Sequence, residues 1–342
     1  MSSPRGAGLL GCGYQLPRSV RRNDDPVFEC LDTSRNAQGI YQSVLFRGLD
    51  RRHCLGPDES ITDLVTESCL RALDAAGVAA EDVDRLYGYV SVPEYHVPNA
   101  LYQVHHDLGL SRKAMVVPIN AEQANFLSGM VHAAEAVRSG NATYCLVTCG
   151  SNWSQHIDYS QGHSTCVGDG AGAALIGPSD RFVVIDHATT TNTSYYRAAT
   201  MATRPLTIHS RRQVPVDGTG MPTPTLDLNQ CGIEVMSSWL KDGIPELVNE
   251  LLTRHAIRGD QITLITYQSV RILLDHWAER IGPKEYVDTL AEFGHMISAT
   301  YPVNLAYSFD RISTQYLVLA GLDLGMQLEA VLLQTDPPHL ST

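Results

Sequence analysis

Short apolar runs alternate with segments of helical period along nearly the whole of this 342-residue chain, and that rhythm restricts it to a layered α/β fold. Helical spacing is clear over residues 61–76, where Asp58 or Ser60 caps the start and Gly77 the end, and over 126–138, which stops at Gly140. Residues 86–91, 114–119, 145–149 and 171–176 are short apolar runs of the kind that form buried strands. The same order returns further on. A strand is expected over 182–186, helices over 235–254 and 271–282, and more strands at 264–266, 317–320 and 330–333. The matching order points to an internal duplication, although no residue-level repeat accompanies it. Residues 192–232 are rich in Thr, Pro, Arg and Gly with little periodicity, and read either as a loop near a substrate entrance or as a solvated connection.

With 44% hydrophobic and 18% charged residues, the chain can bury one large core or two fused ones. Its net charge of −12, with basic runs no longer than Arg51-Arg52 and Arg211-Arg212, argues against a nucleic-acid partner. No apolar stretch nears the ~20 residues needed to span a bilayer. The first residues carry no signal-peptide apolar region, so a cytoplasmic protein without membrane contacts is expected. Eight cysteines are scattered through mostly apolar or strand-like surroundings, which fits reduced core thiols. Cys145 and Cys149 have CxxxC spacing but lie in a strand-like run without a second ligand pair, and His105-His106 fall on a helix, so no metal site is expected. Neither a strand-GxGxxG-helix fingerprint nor a GxxxxGK[ST] loop is present, which leaves oxidoreductase and kinase readings without support.

Residues 118–129 read Pro-Ile-Asn-Ala-Glu-Gln-Ala-Asn-Phe-Leu-Ser-Gly. The segment resembles the nucleophile turn of β-ketoacyl-acyl-carrier-protein synthase III, in which Asn-Ala-Ala-Cys-Ser-Gly-Phe-Leu sets a thiolate at a helix N-terminus, where backbone N–H groups and the dipole lower its pKa. The likeness extends over nearly the whole chain, beginning at Gly8-Leu-Leu-Gly-Cys-Gly-Tyr-Gln-Leu-Pro. Asp58-Glu-Ser-Ile-Thr-Asp-Leu, Ala72-Leu-Asp-Ala-Ala-Gly-Val, Pro93-Glu-Tyr-His-Val-Pro, His105-His-Asp-Leu-Gly-Leu and Gly168-Asp-Gly-Ala-Gly-Ala-Ala-Leu look like family signatures in family order. The resemblance implies a five-layered α/β/α/β/α thiolase-like fold of two similar halves, 1–178 and 179–342, and a homodimer.

Within that resemblance, Gln123 stands where the family has its reactive cysteine. The family's Pro-His-Gln-Ala-Asn segment is matched by Thr266-Tyr267-Gln268-Ser269-Val270, so Tyr267 takes the place of the catalytic histidine and Val270 that of the segment's asparagine. Gly294-His295 matches a Gly-Asn pair and puts His295 at the catalytic asparagine. Gly325 lies where a glycine-rich loop supplies a backbone N–H to an oxyanion hole, and Gln268 and Arg271 join it as expected substrate-binding residues. At the coenzyme A entrance Phe46 replaces a frequent arginine and Arg271 is displaced by one position from another. The acyl donor is therefore the thioester of an acyl carrier protein or of CoA, and no cofactor is implied.

An amide cannot form the acyl-enzyme on which ordinary condensation depends. Cys166 reads as a packed thiol and Glu122 as a charge at a helix N-terminus. The replacements suit direct acyl transfer to a small-molecule acceptor in a specialised, natural-product pathway. In that reading His295 is a general base near neutral pH, while Tyr267 and Gln123 donate hydrogen bonds to a carbonyl oxygen that gains charge. Against it, Tyr267 and His295 can be mere filling of a drifted pocket. Two further readings stand beside it. One is a catalytically silent condensing-enzyme-like subunit in a heteromer with a cysteine-bearing homologue; the other is a decarboxylase of the kind that carries glutamine at this position.

Overall fold

The computed structural model describes residues 6–31, 46–95, 97–196, 198–202, 225–228, 232, 234, 235 and 238–335. Most of the 192–232 stretch, and Cys231 with it, lies outside the described residues. The first part of the chain forms strands β1 (Gly6–Gln15), β2 (Ser19–Arg22) and β3 (Arg51–Cys54), helix α1 (Ile61–Ala76), β4 (Arg85–Val90), α2 (Ala100–Asp107), β5 (Met115–Pro118), α3 (Asn125–Arg138), β6 (Cys145–Ser151) and β7 (Gly170–Ser179). It continues through β8 (Val183–Thr191), β9 (Ala199–Ala202), β10 (Thr225–Leu228), α4 (Trp239–Arg254), β11 (Ile262–Thr266), α5 (Arg271–Ile281), β12 (Glu285–Val287), α6 (Leu290–Phe293), α7 (Thr300–Ser308), β13 (Tyr316–Asp323) and β14 (Gln327–Gln334).

Local chemistry sets the clearest boundaries. The Ser60 side chain accepts the Thr62 N–H at the start of α1, and Gly77 closes the helix in the left-handed conformation. The apolar stripe of α1, with Ile61, Leu64, Val65, Cys69, Ala72 and Leu73 buried, lies on β1, β6 and β7. Helix α4 begins at Trp239, later than the periodicity implies, and β8 runs on to Thr191. Helix α7 was not expected from the sequence. It is buried on nearly every side, from Thr300 through Leu305 and again at Ser308, so it carries no amphipathic stripe by which a helix is recognised.

The two parts of the chain build sheets of one topology. The first runs β5-β4-β6-β7-β1 and the second β12-β11-β13-β14-β8. In each, the first three strands are parallel and the last two antiparallel to their neighbours. The sheets meet where Gly8 stands opposite Val183 and the Leu9 N–H donates to the Phe182 carbonyl at 3.2 Å. Helices α1 and α2 cover the outside of the first sheet, and α4, with α5 packed on it, covers the second. Helices α3 and α7 touch strands of both sheets and each other, so they form the middle layer of an α/β/α/β/α stack. The thiolase-like fold expected from the resemblance is the fold observed.

The seven cysteines among the described residues are free, and Cys145 and Cys149 are buried in β6, where desolvation pushes the Cys145 thiol up to about 12. Among the described residues no cluster of three or more His, Cys, Asp or Glu is placed to hold a metal, and no helix is long and apolar enough to cross a membrane.

Candidate active site

The N-terminus of α3 is entered through a tight turn. Glu122 sits at φ +57°, and the Gln123 N–H donates back to the Ala121 carbonyl at 2.7 Å. Ala124, the N-cap, offers no side-chain acceptor, so no cap shields the first-turn N–H groups. Gln123 is only 5% exposed, and its side-chain Oε1 has no hydrogen-bond partner.

Tyr267 follows β11 and is pinned by donation of its N–H to the Ala320 carbonyl of β13 at 3.2 Å. Its hydroxyl lies within hydrogen-bonding reach of the Gln123 and Ser269 side chains. Burial pushes the phenol well above its ordinary range, so it is a neutral donor at pH 7. Its ring meets that of His295 edge to face, with centroids 4.5 Å apart and planes at 69°.

His295 is fixed first by its backbone. Its N–H donates to the Cys166 carbonyl at 2.6 Å, and its carbonyl accepts the Gly168 N–H at 3.0 Å. A side chain at Gly168 would start 2.4 Å from the Phe293 carbonyl oxygen, so the glycine-rich motif here permits a close backbone approach that seats the histidine. The Gln268 carbonyl lies near the His295 ring, whose Nδ1 is 3.5 Å from Thr300 Oγ1. Desolvation takes the imidazole down to about 3. Enclosed in this way, His295 is neutral at pH 7, a hydrogen-bonding group less basic than the general base near neutral pH expected of it.

The structure thus brings Gln123, Tyr267 and His295 together, and places the other expected residues elsewhere. The Gly325 N–H is not turned to an oxyanion; it donates to Asp323 Oδ1 within the β13–β14 turn. The Gln268 side chain is a clamp, donating to the Val287 carbonyl at 2.6 Å and accepting the Thr289 N–H at 3.0 Å, so only its backbone reaches the site. Arg271 is paired with Asp288 through both guanidinium nitrogens and lies 3.6 Å from Asp275. Glu122 does not serve the helix terminus. Its carboxylate accepts Tyr89 Oη at 2.6 Å, Ser91 Oγ at 2.9 Å and Trp153 Nε1 at 2.7 Å, and burial lifts its pKa in spite of these bonds. Cys166 is buried, its thiol pushed up to about 11, and it is a packed thiol as expected.

Two carboxylates beneath α3 escaped the sequence reading. Glu329 is 3% exposed and accepts Ser128 Oγ at 2.8 Å, and burial lifts it to about 7; the same cause holds Asp323 at about 6. The available signal was a glutamate bordering the apolar run 330–333, where a strand should have no charge facing inward.

Residues 118–193 match the family model described as 3-oxoacyl-[acyl-carrier-protein (ACP)] synthase III. The chain is 28% identical to the 2-heptyl-4(1H)-quinolone synthase subunit PqsC of Pseudomonas aeruginosa, over 87% of each protein. It is 26% identical to the β-ketoacyl-[acyl-carrier-protein] synthase III of Neisseria meningitidis, over 96% of this chain and 99% of that one. The structure of the priming β-ketosynthase from the R1128 polyketide biosynthetic pathway superposes with a TM-score of 0.82 at 23% identity, over 99% of both chains, a likeness of fold.

Proposed function

We propose that the chain, which is similar to the ketosynthase III enzymes, transfers an acyl group directly from a thioester to a bound nucleophile, with no covalent acyl-enzyme. The observation that carries this reading is the convergence of Gln123, the Tyr267 hydroxyl and the neutral His295 at the uncapped N-terminus of α3. All three are uncharged hydrogen-bonding groups, and no thiol stands at position 123 to form an acyl-enzyme. A thioester carbonyl seated there meets the Tyr267 hydroxyl and the first-turn N–H groups, which stabilise the negative charge that grows on its oxygen as the acceptor attacks. Gln123 holds the Tyr267 hydroxyl, and His295 braces the Tyr267 ring. Collapse of the tetrahedral intermediate then expels the thiolate, and the proton given up by the acceptor leaves with it as the thiol.

The donor we favour is the thioester of an acyl carrier protein, the carrier in the name of the Neisseria relative. Arg271 is neutralised by Asp288 and Asp275, which weakens the case for holding the phosphates of CoA. A cytoplasmic homodimer of a specialised biosynthetic pathway completes the reading, with 1–178 and 179–342 as its two halves. A second reading draws support from the word subunit in the name of PqsC: this chain would complete a heteromer with a cysteine-bearing homologue.

Incubation of the purified chain with a panel of acyl-carrier thioesters and small acceptors, followed by intact-protein mass spectrometry and product analysis, tests both. Direct transfer gives product without any mass increase on the protein. A thioester-labile increase on the peptide spanning residues 118–130 would overturn it, and turnover that begins only on mixing with a cysteine-bearing homologue would favour the subunit reading.

A further inference from the structure

The β13–β14 hairpin turns a polar patch toward the middle layer. Gly321 stands directly opposite Glu329 in the antiparallel register, and Asp323 follows two residues after Gly321, so positions 321, 323 and 329 share one face of the sheet. The missing side chain at Gly321 is replaced by Tyr301 of α7: a Cβ there would lie 1.5 Å from the Tyr301 hydroxyl oxygen. That hydroxyl therefore sits beside the Glu329 carboxylate. Ser128 of α3 covers the patch from above through its bond to Glu329 Oε2.

The hydrogen-bonding balance of this patch is one-sided. Asp323 receives the Gly325 N–H and Glu329 the Ser128 hydroxyl, and neither carboxylate is ion-paired with a described cation. Tyr301 is fully buried; the Leu322 N–H lies beside its oxygen, yet no hydrogen bond forms. At the start of α3, Gln123 Oε1 and the fully buried Asn125 Oδ1 are also unpaired. The Tyr301 hydroxyl is thus buried and unpartnered on the face that carries two carboxylates with no described counter-cation, an arrangement that a donor with positive charge would complete.

We propose that the Asp323–Glu329–Tyr301 patch receives the ammonium group of a primary amine, and that an amine is the acyl acceptor of this site. The proposal rests on the acyl-transfer reading for its second half, while the binding of an amine stands apart from it. The chemistry balances without another reactant. The bound ammonium gives one proton to a carboxylate of the patch, its freed lone pair attacks the thioester carbon, the C–N bond forms and the C–S bond breaks. The second N–H proton leaves with the thiolate as a thiol, and the carboxyl returns its proton to solvent; ammonium and thioester have become amide, thiol and a proton. Burial holds both carboxyls above their usual range, which suits them to take that proton.

Binding of benzylamine and n-butylamine, with benzyl alcohol and 1-butanol as neutral counterparts, is measured by thermal shift and by titration calorimetry on the full chain. The same amines and alcohols are then offered as acceptors with an acyl-carrier thioester. We expect the amines to bind and the alcohols not, and Glu329→Gln to weaken amine binding by ~30-fold or more, the effect of removing one partner of a buried charge pair. Asp323→Asn gives a second variant should the first fail to fold. Equal binding of amines and alcohols, or amine binding unchanged in both variants, overturns the proposal. Acylation of alcohols while amines stay inert also overturns it and leaves acyl transfer standing; selective amine binding without any transfer removes the acyl-transfer reading and leaves the amine site.

Discussion

Replacing His295 by the asparagine that the family carries tests whether the imidazole is as secluded as the structure makes it. Its pKa is about 3 in the folded chain against 6.5 for the free side chain. The unfolded chain therefore binds a proton that the folded chain refuses. A depressed histidine contributes its full stability above about pH 6.5 and loses it as the pH falls from there toward 3. At about pH 5.5, one unit below the unfolded value, the loss is RT ln(1 + 10), or ~1.4 kcal/mol, and at about pH 4.5 it reaches ~2.7 kcal/mol. Glu329 acts with the opposite sign. Its value rises on folding from 4.5 to about 7, so the native state takes up the proton first and gains stability as the pH falls. Between about pH 8 and about pH 5.5 that gain is ~1.9 kcal/mol, enough to mask the histidine in the wild-type curve alone. The quantity to measure is thus the stability gap between wild type and His295→Asn, from urea unfolding followed by tryptophan fluorescence at both pH values. The variant should gain ~1.4 kcal/mol on the wild type over this step. A gap constant within ~0.3–0.5 kcal/mol, the additivity of independent effects, would show that His295 titrates like an open histidine and return it to the role of general base.

Two other substitutions probe the site's donors and its frame. Tyr267→Phe keeps the ring packed against His295 and removes only the hydroxyl, so it should lower acyl-transfer turnover by ~10²–10³-fold in a chain that stays folded; equal turnover would refute oxyanion stabilisation by this phenol. Glu122→Ala leaves Tyr89, Ser91 and Trp153 without their common acceptor, and should cost ~3 kcal/mol or more of unfolding free energy. A loss under ~1 kcal/mol would mean the three donors find partners elsewhere.

The parts of the fold that were legible in the sequence are those fixed by neighbours along the chain. Helix α1 announced both its ends, because Ser60 and Gly77 act on backbone groups within a few residues. Helix α7 announced neither, because its burial comes from two sheets contributed by distant segments. The grouping of Gln123, Tyr267 and His295 was reached through the resemblance, since nothing in their spacing brings 123, 267 and 295 into one place. Gln268 and Arg271 were misjudged for the same reason: the groups that occupy them, at Val287, Asp288 and Thr289, approach only after β12 pairs with β11. The seclusion of His295, and with it the loss of its basicity, depends on the whole enclosure and has no local mark.

The three convergent side chains are each positioned by main-chain bonds: Gln123 through Ala121, Tyr267 through Ala320, and His295 through Cys166 and Gly168. None of those bonds involves the side chain that faces the site. Residues at these positions can therefore be exchanged one at a time while the points they occupy stay put. A lineage starting from a cysteine catalyst can lose its nucleophile, try another reaction and keep a folded protein at every step, because the frame that aims the side chains is indifferent to what they are.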